Sequence, residues 1–429
     1  MTRVPQITPP VLPDARQRQI VLSYELVTPM YGGGKESQKP DMAMPVRASA
    51  IRGQLRAWWR LLASAQYDAQ TLRTEEFDLW GGPDKNTPKA SRVMLQVRYV
   101  DKVRAEPWAI YETRRNGDGY QAIPTPQPWA HAAYALFPAQ GKASRASIEQ
   151  QPHSLIKAGM TFEMVIGFSA PINAKQQELL WQSVRWWSQF GGLGARTRRG
   201  LGAIQLKQVS DHSLKETLLK NIDANEAQQH GCRLVKFNRP SESATRAWID
   251  AISRLQRFRQ IGVGRRSHSN RSMWPEPDAI RQITGQSSSR HQHPVTEGSF
   301  FPRAAFGLPI IFKFKDDGQQ AYNEPSQTSL QPKLGGEDKP RERMASPVIL
   351  RATIDNQGRW YATALLLPYQ AFENVQLNLA YTDRNMQCQR PDGWDVDYLD
   401  NQLVGNIKPI TNYNGTNALD AFMNYFGEN

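Results

Sequence analysis

Cysteine is scarce in this sequence. Its 429 residues include two cysteines, Cys232 and Cys388, which lie far apart and form no CxxC pair. Disulfide scaffolds and zinc ribbons need several closely spaced cysteines, so the sequence argues against both classes. Such a composition is typical of a reducing compartment, and we expect a cytoplasmic protein.

Long apolar runs are missing as well. A transmembrane helix needs about 20 consecutive apolar residues, and no run here reaches that length. Residues 1–18 are polar and rich in proline, without the apolar stretch of a signal peptide. We therefore expect no membrane partner.

The motifs of common catalytic and cofactor sites are also missing. The sequence contains no HExxH motif, no nucleophile elbow and no G-x-x-x-x-G-K-[ST] phosphate loop. His291 and His293 have no companion cysteine or carboxylate cluster, whereas zinc needs three or four converging ligands. We interpret them as an ordinary surface pair, and we predict no metal, no cofactor and no catalytic residue.

Positive charge, in contrast, is in excess. Lysine and arginine number 53 against 40 aspartates and glutamates, which gives a net charge of +13. A surplus of this size favours a polyanionic partner, which is RNA, DNA or an anionic membrane surface. Because nothing apolar supports the membrane alternative, the composition favours nucleic acid.

Glycine and arginine are concentrated between Phe190 and Gly202, where five glycines and three arginines occur together. Glycine lets the main chain approach a ligand closely, and successive backbone N–H groups can form a concave anion-binding nest. The forked donors of arginine suit phosphate. A plain connecting loop is the alternative, but we favour a phosphate-rich ligand.

A helix is predicted from about Ala50 to Ala65, with Ser49 as its N-cap. Four apolar residues recur at helical spacing and should face the core: Ile51, Leu55, Trp58 and Leu62. Three arginines recur every four residues and form a stripe: Arg52, Arg56 and Arg60. Like charges at this spacing repel, so a stripe without an interleaved acid makes sense if an anion lies along it. The alternative is a solvated basic face.

The predicted elements of the first half follow the order β-α-β-β-α-β, which is the ferredoxin-like arrangement that RNA-recognition domains also use. We predict an α+β fold with two ferredoxin-like (RRM-like) domains and long insertions. Residues 1–207 should form an N-terminal RNA-binding domain with an insertion at about 101–159. Residues 208–429 should form a degenerate C-terminal copy.

Several stretches resemble the RAMP superfamily of CRISPR proteins. They are Leu26–Gly33, Arg47–Arg60, Leu79–Gly82 and Gly191–Gly202, with Arg343–Val348 similar to a weaker C-terminal motif. The match is closest to the first subunit of the type III-B (Cmr) effector complexes. It covers mostly residues 20–205, and the second half agrees in layout more than in sequence.

The resemblance implies a non-catalytic RNA-binding subunit of an antiviral ribonucleoprotein. Such a subunit caps the 3′ end of the guide RNA, contacts guide and target RNA, and assembles with other Cmr or RAMP subunits. The alternative is a metal-independent endoribonuclease that processes CRISPR repeat RNA, with His131 or His153 as general base. Those enzymes carry the glycine-rich loop near the C-terminus, so the mid-chain loop favours the first hypothesis.

The predicted RNA-binding residues combine the stripe, the glycine loop and further cations. They are Lys35, Arg47, Arg52, Arg56, Trp59, Arg60, Gly191, Gly192, Gly194, Arg196, Arg198, Arg199, Arg265 and Arg266. Trp58, Trp59 or aromatic residues of the loop are expected to stack on a base, although the helical phase at Trp59 also allows a core position. Arg265 and Arg266 belong to a polar basic stretch from Gln260 to Glu297.

Overall fold

Most of the chain is described by the computed structural model. The described residues are 19–83, 88–114, 117, 119–124, 132–262, 271–295, 298–314, 324–369, 375–381, 393–398 and 404–428. Helices and several small sheets occur along these ranges, which confirms the mixed α and β class. No helix within them is long and apolar enough to cross a bilayer.

Strands and helices are numbered separately in chain order. The strands are β1 (Ile20–Leu26), β2 (Val93–Asp101), β3 (Ala105–Pro107), β4 (Ala109–Thr113), β5 (Tyr120–Pro124), β6 (Lys142–Ala143), β7 (Ile148–Gln150), β8 (Ser154–Ile156), β9 (Thr161–Phe168), β10 (Ile204–Val209), β11 (Arg233–Ser241), β12 (Ile310–Phe312), β13 (Thr328–Leu334), β14 (Val348–Ile354), β15 (Trp360–Leu366), β16 (Val375–Tyr381) and β17 (Trp394–Val396). The helices are α1 (Ala48–Ala63), α2 (Ala69–Trp80), α3 (Ala133–Leu136), α4 (Ala174–Phe190), α5 (His212–Leu219), α6 (Ala224–Gln229), α7 (Ala244–Arg259), α8 (Glu276–Thr284), α9 (Lys408–Thr411) and α10 (Ala418–Gly427).

The chain forms two compact units, and each draws on several stretches of sequence. The first unit lies within 1–107, 153–197 and 201–222, and the second within 108–152, 198–200 and 223–429. The sequence predicts one boundary after residue 207 and one insertion at 101–159. The units divide that insertion: β3 pairs with β8 in the first unit, whereas the β4–β5 and β6–β7 hairpins lie in the second.

The first unit contains a four-stranded sheet in the order β10-β1-β9-β2, with each neighbouring pair antiparallel. Its elements β1, α1, β2, β9, α4 and β10 follow one another in the predicted β-α-β-β-α-β order, and α2 is added after α1. Residues of β1 alternate between buried and half-exposed. One face of this sheet is therefore covered and the other is partly open.

Aromatic residues fill the covered side of the first sheet. The Tyr24 ring stacks on Phe162 at 5.2 Å and meets Trp187 of α4 edge-on at 5.3 Å. Trp58 of α1 lies 5.7 Å from Trp186 of α4 between ring centroids. These three tryptophans are thus core residues, which is the commoner role of this residue type.

Two helix boundaries correct or extend the sequence predictions. Helix α1 begins at Ala48, and its N-cap residue Arg47 makes no side-chain capping bond, so Ser49 is not the cap. Helix α4 begins after Asn173, whose side chain accepts from the Gln176 backbone while the Gln176 side chain accepts from the Asn173 backbone. That reciprocal pair is a capping box, and it fixes where α4 begins.

The second unit contains a three-stranded sheet in the order β11-β15-β14 and a four-stranded sheet in the order β12-β13-β16-β17. Helices α7 and α10 pack on the three-stranded sheet. Strands β14 and β15 form a hairpin that turns at Asp355, whose backbone N–H donates to the Arg359 carbonyl oxygen. Within the described residues no fourth strand joins this sheet, so a second ferredoxin-like domain is not confirmed.

Candidate nucleic-acid interface

We call the stretch from Phe190 to Gly202 the glycine-arginine loop. Its first two glycines are tightly packed. A Cβ on Gly191 would lie 2.2 Å from the Trp187 ring, and one on Gly192 would lie 2.7 Å from the Gly202 carbonyl oxygen. The Leu193 backbone N–H donates to that same carbonyl at 2.8 Å. Gly191 and Gly192 are buried, so packing explains these two glycines without a ligand.

The next glycine of the loop lies against a second glycine-rich segment. Gly33 and Gly194 have φ angles of +87° and +75°, and a Cβ on Gly33 would lie 2.9 Å from the Gly194 Cα. The backbone N–H of Ala195 donates to Tyr31 at 2.7 Å. The two segments therefore meet main chain to main chain, and Gly33, Gly194 and Ala195 remain exposed. We call this place the glycine junction.

Cationic residues lie close in sequence to the two segments of the glycine junction. Lys35 and Arg196 are exposed, and Arg196 has a positive φ of +59°. Burial raises the pKa of the Tyr31 hydroxyl, and the charge of Arg196 opposes that rise. Arg47 is half-buried and forms an ion pair with Asp41 at 3.2 Å. Exposed cations beside accessible main chain suit a phosphate group.

Helix α1 contacts the loop through Gln54. Its side-chain oxygen accepts from the Trp187 indole N–H at 3.0 Å and from the Gly192 backbone N–H at 3.3 Å. At 100° per residue, Arg52 and Arg56 lie about 160° around the helix from Gln54. The stripe and the loop thus occupy opposite sides of α1, and the structure does not bring them into one groove.

The stripe has its own acidic partner on α2. Glu76 is fully buried and forms ion pairs with Arg56 and, at 2.7 Å, with Arg60. Arg52 donates to the Val93 carbonyl oxygen at 2.6 Å. The acid that seemed to be absent from α1 comes from the next helix, so an external anion is not required to relieve the repulsion.

Both tryptophans of α1 are core residues. Trp58 is 8% exposed and Trp59 is 1% exposed. The prediction that Trp59 stacks on a base is therefore wrong for this structure, because its ring does not reach solvent. The sequence left this possibility open since neighbouring residues on a helix differ by only 100°.

Comparison with known proteins supports the family that the motifs indicate. The family model of the RAMP superfamily matches residues 23–205. We call residues 23–205 the RAMP region. This RAMP region is less than half of the chain, and it contains α1, α4 and the glycine junction.

Solved structures are similar to the chain at low identity. Cmr1 from Pyrococcus furiosus in its apo form is 15% identical, with 88% of this chain and 93% of that chain covered and a TM-score of 0.41. A chain of the type III-B Cmr-beta complex bound to cognate target RNA is 13% identical, with 92% and 99% covered and a TM-score of 0.43. A search of curated protein sequences found no match.

Arg198 and Arg199, the last two arginines of the loop, belong with Gly200 to the second unit. Arg198 donates to the Ser346 carbonyl oxygen, and Arg199 donates to the Phe306 carbonyl oxygen at 3.1 Å. The Trp248 indole donates to the Arg199 carbonyl oxygen at 2.7 Å. Arg198 and Arg199 are thus held by protein carbonyls, which weakens their prediction as RNA ligands.

The open sheet face of the RAMP region offers no stacking platform on its central strands. The half-exposed residues of β1 and β9 include Ser23, Glu25, Thr161 and Glu163. Two ion pairs cross this face, Lys207 with Glu25 at 3.4 Å and Arg98 with Glu163 at 3.0 Å. RNA-recognition domains stack bases on aromatic residues of this face, and these two strands present none there.

The remaining predicted positions are only partly described. Arg265, Arg266 and His131 lie outside the described residues. His153 is 8% exposed, with its ring centroid 6.4 Å from that of Tyr31. Burial, together with the charge of Lys39, lowers the pKa of His153. Within the described ranges no group of three or more histidine, cysteine, aspartate or glutamate residues could hold a metal ion.

Proposed function

We propose that this chain is a non-catalytic RNA-binding subunit of a type III-B CRISPR (Cmr) effector complex. The observation that carries the proposal is the glycine junction of the RAMP region, where Gly33 and Gly194 leave the main chain exposed beside Lys35 and Arg196. The net charge of +13 is in keeping with a polyanionic partner.

The binding step is electrostatic in this proposal. Lys35 and Arg196 neutralise phosphates of a single strand, and the absence of side chains at Gly33 and Gly194 lets the backbone come close to the sugar-phosphate chain. Arg47 contributes only if RNA competes with its ion pair to Asp41. The stripe of α1 is a separate basic face, because Arg52 and Arg56 lie on the opposite side of α1 from Gln54, which contacts the loop.

Within the complex, the proposal places this subunit at the 3′ end of the guide RNA, beside other Cmr or RAMP subunits and in contact with guide and target. It also includes two ferredoxin-like domains. The order β10-β1-β9-β2 in the first unit fits that arrangement. In the second unit, β11, β14 and β15 correspond to the first three strands of a ferredoxin-like domain in chain order. Assembly with the other subunits in the cytoplasm belongs to the same proposal.

Charge reversal at the glycine junction tests the proposal. The double variant Lys35→Glu/Arg196→Glu should bind single-stranded RNA more weakly. The slope of log affinity against log salt concentration should become shallower by about two, because two phosphate contacts are lost. Lys215→Glu with Lys220→Glu is the matched control, since both lysines are exposed in the same unit and make no ion pair with the described residues. Equal affinities of the double variant and the unaltered protein would refute the junction as an RNA site. In the assembled complex, crosslinks from the junction should map near the guide 3′ end.

The endoribonuclease alternative receives less support. A general base must reach the proton that it abstracts, and His153 is buried. The pure protein incubated with labelled repeat RNA and EDTA should leave the RNA intact. Site-specific cuts that disappear in His153→Ala or His131→Ala would reverse this preference.

A further inference from the structure

Tyr99 is the most exposed large aromatic residue in the described part of the RAMP region, with 73% of its surface accessible. It lies in β2, the edge strand of the first sheet. An aromatic ring of this size normally covers apolar surface. Its exposure on an edge strand therefore calls for an explanation that the glycine junction does not supply.

The backbone at Tyr99 is strained. Its φ is +51°, and Lys102 three residues later has a φ of +56°. A bulky residue rarely adopts this left-handed conformation. The pairing of β2 with β9 also shifts register between Arg98 and Asp101, as happens at a β-bulge. Strain of this kind persists where the surrounding structure maintains it, and it is found preferentially at functional positions.

The bulge changes the face of the sheet on which the Tyr99 side chain lies. In a regular strand, Tyr99 and Arg98 would point to opposite faces. Here the Arg98 guanidinium lies over the Tyr99 ring, 5.2 Å from its centroid, while its Nε binds Glu163 at 3.0 Å on the open face. The ring therefore stands at the edge of the open face, whose central strands β1 and β9 present no aromatic residue.

Cations outnumber exposed acids near Tyr99 in sequence, where Lys102 and Arg104 stand beside Asp101. Lys102 and Arg104 are exposed and form no ion pair with the described residues, whereas the acidic Glu163 is engaged by Arg98. Sites for single-stranded nucleic acid combine an aromatic ring with cations that follow the backbone. A flanking guanidinium holds such a ring in place and adds a cation at the same point.

We propose that Tyr99 is a stacking platform for an unpaired base of single-stranded RNA, with Lys102 and Arg104 binding the adjacent phosphates. This second contact rests on the proposed function, because it assumes an RNA-binding subunit. It lies on the open sheet face of the first unit. It takes one base without regard to sequence, since every base has a π-face.

The test compares oligouridine with an abasic oligomer of the same length, by fluorescence anisotropy on the full chain. Tyr99→Ala should bind oligouridine roughly tenfold more weakly, which corresponds to one base stack, and should bind the abasic oligomer as before. Tyr99→Phe should retain the affinity. Tyr67→Ala is the control, because Lys175 lies over the Tyr67 ring at 4.1 Å in the same kind of cation–π pair.

A purely structural role is tested separately. Glycine adopts positive φ without strain, so Tyr99→Gly should raise the melting temperature while it weakens oligouridine binding. Unchanged oligouridine affinity in Tyr99→Ala, or equal losses for both oligomers, would overturn the stacking proposal. If Lys35→Glu with Arg196→Glu still weakens binding in that case, the proposed function stands alone. No RNA binding by the unaltered protein would overturn both.

Discussion

Gly33 and Gly194 approach each other so closely that a Cβ on the first would lie 2.9 Å from the Cα of the second. Real Cβ atoms essentially never come that close to another heavy atom, and both residues also require positive φ. Glycine is therefore needed at both positions for two independent reasons. The pair joins the beginning and the end of the RAMP region into one surface feature.

Gly194→Val should damage this junction. Its Cβ would lie 2.6 Å from the Tyr31 carbonyl oxygen, and valine disfavours a φ of +75°. We expect a loss of about 2–4 kcal/mol in the free energy of unfolding and weaker RNA binding, measured by thermal melting and anisotropy. A variant with native stability and native affinity would show that the loop tolerates the side chain and serves as a simple connector.

The matched control for Gly194→Val is Gly53→Ala. Gly53 lies within α1, and a Cβ there would meet no atom within 4 Å. Alanine should stabilise the helix by roughly 0.5–1 kcal/mol and leave RNA binding unchanged. A destabilised Gly53→Ala would contradict the open space that the structure shows beside this residue.

The sequence was sufficient for the elements with strong local signals. The order β-α-β-β-α-β, helix α4 and the hairpin of β14 and β15 follow from periodicity and turn residues, and the structure has them. The sequence did not show which of the predicted site residues lie together and which lie apart. Gly33 meeting Gly194, and Gln54 rather than Arg56 facing the loop, depend on tertiary packing.

Glu76→Gln should reveal how much the buried carboxylate of Glu76 supports Arg56 and Arg60 of the stripe. The buried carboxylate binds Arg56 and Arg60, and its removal leaves two like charges without their shared partner. Because both guanidinium groups retain some solvent, we expect a moderate loss of about 1–3 kcal/mol, measured by urea unfolding. Stability equal to that of the unaltered protein would contradict a supporting role for Glu76.

Arg199→Ala and Arg196→Ala should separate a packing arginine from a phosphate-binding one. Arg199 donates to the Phe306 carbonyl oxygen, so its loss should lower stability by about 1–2 kcal/mol without changing the salt dependence of RNA binding. Arg196 is exposed, and its loss should reduce the salt slope by about one while stability stays nearly constant. A reduced salt slope in Arg199→Ala, with an unchanged slope in Arg196→Ala, would contradict the proposed site.

The ion network around Glu324 could not be predicted from the sequence, because its members come from separate segments of the second unit and meet only through tertiary packing. Glu324 accepts from Arg281 at 2.9 Å and contacts His291 Nδ1 at 2.5 Å. Burial alone would raise the pKa of Glu324, but hydrogen bonds from His291, Ser288 and Arg281 outweigh it and lower the pKa to about 2.

That pKa predicts a specific pH dependence of stability. A folded-state pKa below the unfolded value of about 4.3 means that the ionised carboxylate stabilises the fold above that pH, and that the contribution is lost as pH falls towards 2. Glu324→Gln should therefore be less stable than the unaltered protein at pH 7 by about 1–2 kcal/mol, with the difference shrinking between pH 5 and 2. Glu337→Gln is the control, because Glu337 pairs with Arg341 at the exposed surface and such pairs contribute little. Urea unfolding at several pH values measures both, and a Glu324→Gln difference that persists unchanged at low pH would exclude the carboxylate as its cause.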